Sequence, residues 1–554
     1  MKFKKFAHKV LALVLATVVA TSAVACGKQA DTQSEAGKTV DAAATAWKEN
    51  ALQMPQEGDH FRTYYEVFVY SYCDSDGDGI GDINGLRSKL DYIQDMGYTG
   101  IWLMPVMPSP SYHKYDTTDY LNIDSAYGTL DDFKAFLADC HERNIEVIID
   151  FVMNHSSSEH PWFKEAYKYM QSLGKDEEPD ASKCPYVDYY NFTKSQEGGY
   201  SEVSGTDWYY EAQFWYGMPD LNWDSEAVKN EFKDIAKFWL DLGVDGFRLD
   251  AVIYFYFGNH EKSIEVLKWF NDYVKSVKPS AYIVCEGWTD QNTYAKYYDS
   301  GVDSMFDFAF ADQGGVIAKM LKGTAPAGSY GAMSEKAQEL YASHNENAID
   351  APFYTNHDMA RSAGFYPGDL GEARVKMAQA LNLLMTGNAF VYYGEELGMK
   401  GSGKDENKRA PMYWSKDANA QGMCKGPQGM DSFEMKFDSY EEQAKADDSI
   451  YNYVKSAILL RNQNEIIRKG KVQNLSDLST DYVDVIKKTY NDEEIVILLN
   501  VAEEAQTVDA TSLNINGKTV ENAEVAGELL TGDETVTIEK NTITLPAFSI
   551  LVLK

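Results

Sequence analysis

The 554-residue sequence is poor in basic residues, and this shortage excludes several classes of partner. It has 51 lysines and arginines against 85 aspartates and glutamates, which gives a net charge of −34 at pH 7. Phosphate backbones and anionic lipid surfaces repel a chain with this charge. Nucleic acid and an anionic membrane surface are therefore excluded as partners, and a neutral ligand outside the cell is favoured.

Cysteine is also scarce, with six in the whole chain. Apart from one near the N terminus, the cysteines are Cys73, Cys140, Cys184, Cys285 and Cys424. Their odd number and wide spacing indicate neither a disulfide framework nor a zinc cluster. We expect buried thiols. The sequence also has no internal repeat.

Only one long apolar run occurs, "VLALVLATVVA" near the N terminus, and it is short for a membrane span. It follows the basic "MKFKKFAHK" and precedes the small residues "TSAVAC", which is typical of a signal peptide over residues 1–26. Cys26 resembles the lipidated cysteine of bacterial lipoproteins; the alternative is an ordinary signal with an incidental cysteine. Residues 27–58 are small and polar, and they predict a flexible linker. We expect an extracellular, cell-surface lipoprotein of a bacterium, with the lipid as its only membrane contact.

From about residue 59 to 465, short apolar segments alternate with segments of helix length. Eight such apolar segments occur, at 64–72, 97–106, 145–155, 243–251, 282–288, 304–310, 353–358 and 387–396. Near-continuous apolar strands separated by helices are typical of a parallel sheet covered on both faces. Eight of them predict an α/β fold, a closed (β/α)8 TIM barrel.

Two regions depart from this alternation. After the predicted third strand, residues from about 156 to 216 do not follow the alternation of strands and helices. An irregular segment of this length predicts an inserted domain. Residues 466–554 change to a period of two with turns between the segments, as in "EEIVILLNV" and "NTITLPAFSILVLK". This predicts a separate C-terminal antiparallel β-sandwich domain.

The stretch "GFRLDA" at 246–251 places two opposite charges inside an apolar strand. Residues two apart in a strand point to the same face, so Arg248 and Asp250 project together. Parallel barrels carry their chemistry at the carboxyl ends of the strands. There, Arg248 would keep a partly buried carboxylate ionised.

Further polar side chains follow other predicted strands, namely Asn154, His155, Glu286, His357 and Asp358. A glycosidase needs one ionised carboxylate as nucleophile and one protonated carboxyl as acid. Asp250 beside a guanidinium suits the first task, and Glu286 among apolar neighbours suits the second. Taken singly, each carboxylate could instead be a cap or an ion-pair partner at a strand end. Three on one barrel rim favour catalysis.

At these residues the sequence resembles the α-amylase family, glycoside hydrolase family 13. The segments "DFVMNH", "GFRLDA", "CEGW" and "FYTNHD" stand in the order of that family's four main conserved regions. The resemblance implies that Asp250 is the nucleophile, Glu286 the general acid/base and Asp358 the transition-state stabiliser. It also implies a substrate-binding set, namely Tyr115, His113, His155, Arg248 and His357. The inserted domain would correspond to the family's domain B, and the C-terminal domain to its domain C.

Two more segments resemble the intermediate branch between oligo-1,6-glucosidases and neopullulanases. "MPDLN" at 218–222 is similar to a fifth conserved region of that branch. "KRAPMYW" at 408–414 resembles a segment of oligo-1,6-glucosidases whose arginine, here Arg409, approaches the substrate; the alternative is a surface loop. Enzymes of this kind that cleave α-1,6 bonds usually carry valine after the nucleophile, whereas Ala251 follows it here. The resemblance therefore favours an α-amylase that cleaves α-1,4 bonds of starch and maltooligosaccharides by a retaining mechanism. The alternatives are an α-glucosidase or oligo-1,6-glucosidase, a neopullulanase or cyclomaltodextrinase, and a non-catalytic glycan-binding lipoprotein. We expect a monomer.

The stretch "DSDGDGIGD" at 74–82 predicts a calcium site. Its oxygen donors would be Asp74, Asp76, Asp78, the Ile80 carbonyl and Asp82. Hard oxygens clustered on a tight loop are what Ca²⁺ requires. The spacing is similar to the first nine positions of an EF-hand loop, but the twelfth position is Gly85 instead of glutamate. The alternative is an acidic turn without a metal.

Overall fold

The computed structural model describes residues 38–39, 46–49, 55–56 and 58–554. The predicted signal peptide and its Cys26 lie outside these residues. Within the described ranges, every helix is too short or too polar to cross a membrane.

An eight-stranded parallel sheet forms the centre of the molecule. Its strands are β1 (Thr63–Val67), β2 (Gly100–Leu103), β3 (Glu146–Phe151), β4 (Gly246–Leu249), β5 (Tyr282–Cys285), β6 (Ser304–Phe306), β7 (Ile349–Ala351) and β8 (Ala389–Tyr392). From β1 to β7, consecutive strands pair with one another, and β8 pairs with β1. Backbone hydrogen bonds from Asn388 and Phe390 to Asp350 and Pro352 close the ring. The predicted TIM barrel is thus confirmed.

Amphipathic helices cover the outside of the barrel. The longer ones are Leu130–Glu142, Pro161–Ser172, Glu226–Leu242, His260–Val277, Ser329–His344, Gly371–Leu383 and Ile450–Gln463. The short ones are Ile83–Arg87, Leu90–Met96, Gln291–Ala295, Val316–Leu321, Asp405–Lys408, Tyr440–Gln443 and Glu465–Lys469. The helix before β4 begins where the Ser225 side chain accepts from the Val228 N–H, and it ends at Gly243 with φ of 116°. Both ends of this helix are therefore fixed, and so is the residue at which β4 begins.

The side chains of the barrel strands alternate between two cores. Phe247 and Leu249 of β4 point outward into the main core beneath the helices. A separate interior cluster fills the barrel, and it includes Tyr64, Trp102, Ile148, Tyr282, Val284, Phe306 and Phe390. Arg248 points to the same inner side, with its guanidinium 5.0 Å from the Trp102 ring. The two-residue period of the strand thus puts Arg248 inside the barrel, as its sequence spacing predicts.

One strand lies upstream of its predicted position. The sequence predicts the seventh strand within 353–358, whereas β7 is Ile349–Ala351. Pro352 follows directly, and because proline has no N–H it ends the ladder there. The segment "FYTNHD" is consequently the loop after β7, where its polar side chains face the barrel mouth.

The predicted inserted region contains the helix Pro161–Ser172 and a small antiparallel sheet, Phe192–Thr193, Tyr200–Glu202 and Tyr209–Glu211. The C-terminal region forms two antiparallel sheets. One contains Lys471–Asn474, Val483–Tyr490, Glu493–Asn500, Ser549–Leu553 and Val525–Leu530; the other contains Gln506–Asp509, Thr542–Leu545, Thr537–Glu539 and Lys38–Thr39. The domain limits given above stay predictions.

The predicted linker is not free along its whole length. The strand Lys38–Thr39 pairs with Thr537–Glu539 of the C-terminal region. Trp47 is buried at 3% exposure, and its carbonyl accepts a hydrogen bond from the Gln463 side chain at 3.1 Å. The expectation of a flexible linker over 27–58 is corrected at these residues. The segment is polar on average, but burial of the single large apolar side chain of Trp47 is enough to hold a short stretch of it against the fold.

Candidate active site

One guanidinium organises the carboxylates at the barrel mouth. Arg248 Nη1 lies 3.0 Å from both oxygens of Asp150 and 2.6 Å from Asp250 Oδ1. Arg248 Nη2 lies 3.1 Å from Glu286 Oε2. The arginine is fully buried, and Asp150 stands opposite it in the register of β3 and β4. Three carboxylates from three strands thus share one buried positive charge.

Glu286 follows β5 in a buried position. Burial raises the pKa of Glu286 to about 7, with Arg248 opposing the rise and Asp250 adding to it. Its Oε2 also accepts the Ala251 backbone N–H at 3.1 Å, and Ala251 adopts the left-handed region with φ of 49°. A carboxyl group with a pKa near neutrality can hold a proton and donate it, which is what a general acid requires.

Asp358, in the loop after β7, has a different electrostatic setting. Its Oδ2 lies 3.0 Å from His357 Nε2, and its Oδ1 accepts from Arg409 Nη2 at 2.8 Å. Removal from bulk water would raise the pKa of Asp358, but His357 and Arg409 outweigh this effect and hold the pKa well below its usual range. Asp358 is therefore a carboxylate, in contrast to Glu286.

Aromatic and imidazole side chains form the wall beside these carboxylates. The Tyr115 hydroxyl donates to Asp150 Oδ2 at 3.0 Å, and its ring stacks on His357 with centroids 5.5 Å apart. His113 Nδ1 accepts the Tyr115 backbone N–H at 3.1 Å, and burial followed by Arg409 lowers the pKa of His113 to about 4. His155 is buried with its ring 5.4 Å from Phe214. Among the described residues, His155 Nε2 has no hydrogen-bond partner.

Most of the residues predicted from the sequence meet in one network. Contacts link Arg248, Asp250, Glu286, Tyr115, His357, Asp358 and Arg409 through shared partners. Their catalytic and binding roles stay predictions. The sequence reasoning assigned no role to Asp150, Glu66 or Tyr112, although the charges within the apolar strands "YYEVFV" and "IEVIIDF" were a signal for the first two.

The acidic loop after β1 brings three carboxylates together. Oxygens of Asp74, Asp76 and Asp78 lie within 4.8 Å of one another. Asp74 accepts the backbone N–H groups of Gly77 at 2.6 Å and Gly79 at 2.7 Å, so the loop curls around it. Asp76 and Asp78 are exposed and Asp74 is buried, and clustered carboxylates of this kind fit a hard cation such as Ca²⁺.

Asp82, also predicted as a ligand, has other partners in this loop. Its oxygens accept the Ser75 backbone N–H at 2.7 Å and the Gly85 N–H at 2.8 Å, the second as the N-cap of the helix Ile83–Arg87. Asp82 is not among the three carboxylates of the acidic cluster. Asp82 therefore fixes the end of the loop by hydrogen bonds, and its predicted role as a metal ligand stays untested.

Comparison with known proteins matches residues 66–470 to the family described as "Alpha amylase, catalytic domain". Alpha-amylase 3 of Dictyoglomus thermophilum is 37% identical over 445 residues, which cover 79% of this chain and 84% of the relative. Oligo-1,6-glucosidase of Parageobacillus thermoglucosidasius is 28% identical over 523 residues, covering 79% of this chain and 89% of that enzyme.

A solved structure agrees with the sequence relatives. Eubacterium rectale Amy13B is 51% identical and superimposes with a TM-score of 0.89. The match covers 92% of this chain and 98% of that one. The likeness therefore extends beyond the barrel to most of the C-terminal region.

Proposed function

The chain belongs to the α-amylase family of glycoside hydrolases, and from this premise we propose that it is an α-amylase that hydrolyses α-1,4-glucosidic bonds of starch and maltooligosaccharides. The single observation that carries the proposal is the pair Asp250 and Glu286 on one guanidinium. A retaining glycosidase needs two carboxyl groups about 5–5.5 Å apart, and a shared arginine keeps the pair close.

In the first half of the proposed reaction, Asp250 attacks the anomeric carbon. The bond from that carbon to the glycosidic oxygen breaks as Glu286 gives its proton to the departing oxygen. Arg248, 2.6 Å from Asp250 Oδ1, holds the nucleophile in place by a charge-assisted hydrogen bond. The raised pKa of Glu286 keeps a proton available, so the two carboxyl groups divide the tasks of nucleophile and acid.

In the second half, Glu286 acts as a base. It takes a proton from water, the water oxygen attacks the anomeric carbon, and Asp250 leaves as a carboxylate. Asp358 stays ionised through His357 and Arg409, and it binds sugar hydroxyls and stabilises positive charge on the ring. The face of Tyr115 supports the sugar ring from the side.

The choice of α-1,4 bonds rests on two observations. Ala251 follows the nucleophile where α-1,6 enzymes of the intermediate branch usually carry valine, and the 37%-identical relative is named an α-amylase. The oligo-1,6-glucosidase alternative is supported by Arg409, which contacts Asp358 and Tyr112 inside the site. Product analysis separates the two.

We expect a soluble form that lacks residues 1–26 to release a mixture of maltooligosaccharides from soluble starch and to leave isomaltose intact. The measurement is a time course of products from starch, pullulan and isomaltose, separated by chromatography. Glucose from isomaltose, with starch untouched, would refute the α-1,4 assignment and identify an α-glucosidase that trims oligosaccharides. Release of panose from pullulan would identify a neopullulanase.

We propose Ca²⁺ as the ion of the acidic loop, held by Asp74, Asp76 and Asp78. The loop follows β1 after the short turn Val69–Ser71. It is hydrogen-bonded to the segment 422–425, since Asp74 N donates to Gly422 O at 3.1 Å and Lys425 N donates to Gly79 O at 2.8 Å. A bound cation would offset the repulsion among the carboxylates. Its contribution is therefore to stability, and no chemical step uses it.

Removing calcium with a chelator is expected to lower the melting temperature. A ligand at 100 times its Kd stabilises a fold by about 2.7 kcal/mol. The measurement is thermal unfolding at several calcium concentrations, for the wild type and Asp76→Asn. As control, Asp417→Asn changes an isolated exposed aspartate that caps a turn through the Asn419 N–H at 2.9 Å. A melting temperature independent of calcium in the wild type would refute the site.

We also propose that the enzyme is lipid-anchored at the cell surface through Cys26. The support is the sequence alone, in which small residues precede Cys26 and a polar segment follows it. Expression in a bacterium with lipoprotein processing should place the wild type in the membrane fraction and release Cys26→Ser to the medium or periplasm. Equal release of both proteins would refute the anchor.

A further inference from the structure

Glu66 of β1 is a buried carboxylate to which the mechanism above gives no role. Its Oε1 lies 2.6 Å from His357 Nδ1, and the two side chains are 1% and 0% exposed. The contact joins residues 291 positions apart in the chain. Burial raises the pKa of Glu66, and the positive charges of His357 and Arg248 oppose that rise. An ionised Glu66 at this depth needs a compensating charge, which an imidazolium at His357 supplies.

The other ring nitrogen of His357 also faces hydrogen-bond acceptors. Nε2 lies 3.0 Å from Asp358 Oδ2 and 2.7 Å from the Tyr115 hydroxyl oxygen. The Tyr115 proton is donated to Asp150, so the oxygen presents a lone pair to His357. Neutral imidazole has one N–H, whereas the imidazolium has two. Acceptors at both nitrogens therefore require the imidazolium.

We propose that Glu66 is a positioning residue that keeps His357 positively charged, with Nε2–H directed at Asp358 and the bound sugar. The inference rests on the proposed function, since the role of Asp358 comes from it. With Nδ1–H fixed on Glu66, a lost proton would come from Nε2, on the catalytic side. Glu66 prevents that loss although it lies outside the reacting groups.

The surrounding charges agree with this geometry. The groups facing His357 from neighbouring elements are Glu66, Tyr115, Asp150, Arg248, Glu286 and Asp358. Arg248 is bound to Asp150, Asp250 and Glu286, which leaves Glu66 and Asp358 as the direct partners of the imidazolium. Burial would lower the pKa of His357, but Asp358 and Glu66 raise it to about 9. This pairing stabilises the fold below the ordinary histidine pKa of about 6.5 and is lost as pH rises through about 9.

The first test is the protonation state of His357 in the wild-type protein. Histidines labelled with ¹⁵N report the two ring nitrogens separately by NMR, and His357→Asn identifies the signal among the nine histidines. We expect both nitrogens to stay protonated at pH 8. A ring that loses its proton near pH 6.5 would overturn the inference, and this result needs no Glu66 variant and no enzyme activity.

The second test compares Glu66→Gln with Glu396→Gln. Glu396 is equally buried and accepts from Tyr65 and Tyr92 on the outer side of β1, so its variant controls for loss of a buried carboxylate. Glu66→Gln should move the His357 titration toward about 6.5, whereas Glu396→Gln should leave it unchanged. Glu66→Asp keeps the charge and should restore part of the shift. Equal titrations in Glu66→Gln and wild type would overturn the inference.

Kinetics with an α-glucosyl fluoride give a third measurement, because fluoride leaves without a proton from Glu286. The ratio of kcat/KM for Glu66→Gln to that of the wild type should fall about tenfold between pH 6 and pH 8.5, as the variant loses the His357 proton. A ratio that stays constant with pH would indicate a structural effect alone and overturn the inference. If the protein does not hydrolyse α-glucosides but both nitrogens of His357 stay protonated at pH 8, then the proposed function fails and the inference that Glu66 sets the charge of His357 still stands.

Discussion

Replacement of Asp250 by asparagine is expected to lower kcat by about 10⁴-fold or more while leaving substrate binding nearly intact. The amide of asparagine cannot attack the anomeric carbon, so no covalent intermediate forms. Its carbonyl oxygen can still accept from Arg248, which lies 2.6 Å from Asp250 Oδ1, so the site keeps its shape. The measurements are kcat on maltooligosaccharides and the Kd of the same ligands by calorimetry.

Asp245 provides the matched control for this variant. Asp245 directly precedes the first residue of β4, at the end of the strand opposite Asp250. There it pairs with Lys278 at 2.9 Å and with His141 at 2.8 Å. Asp245→Asn should therefore lower stability and leave kcat near the wild-type value. Asp250→Ala with azide and an activated α-glucoside should form the β-glycosyl azide, because azide fills the space of the lost carboxylate. Near-wild-type turnover in Asp250→Asn would remove Asp250 from the nucleophile role.

The barrel could be predicted because its signal is local. Each strand is an apolar segment of a few residues, and each long helix has its own apolar face, so the eightfold alternation is visible in the sequence. The seventh strand was displaced because "FYTNHD" is also apolar at its start, and the effect of Pro352 on the ladder outweighs that pattern. The docking of Trp47 depends on a distant helix and has no local signal.

The site could be predicted only in part, because only some of its contacts are between residues close together in the sequence. Arg248 and Asp250 are two residues apart, so strand geometry alone places them together. Asp150 joins them through the register of two strands, and Glu66 meets His357 across the barrel. β1 has one charged residue, Glu66, and β3 has two, Glu146 and Asp150. Charges inside apolar strands are unusual. Their partners become known only when the sheet is closed and the register is fixed.

Replacement of Arg248 by glutamine is expected to damage both stability and activity. Asp150, Asp250 and Glu286 would lose their shared cation, and removing one partner of a buried ion pair costs about 3–5 kcal/mol. Asp250 and Glu286 would lose the cation that holds them side by side, so kcat/KM should fall by about 10³-fold. Arg248→Lys should recover little, since a single ammonium cannot replace both Nη atoms. The measurements are urea unfolding and steady-state kinetics.

The pH dependence of Arg248→Gln separates this charge effect from a simple packing defect. Without the guanidinium, the buried carboxyl groups have raised pKa values and bind protons in the folded state that they release on unfolding. The loss of stability relative to the wild type should therefore be smallest at acid pH and grow as the pH rises toward 8. Arg461 is the control: it is also fully buried but donates to the carbonyls of Leu383 and Met385 at 2.7 and 2.6 Å. Arg461→Gln should destabilise the fold and leave kcat/KM nearly unchanged. A pH-independent loss in Arg248→Gln would mean that the arginine only fills space at the centre of the barrel mouth.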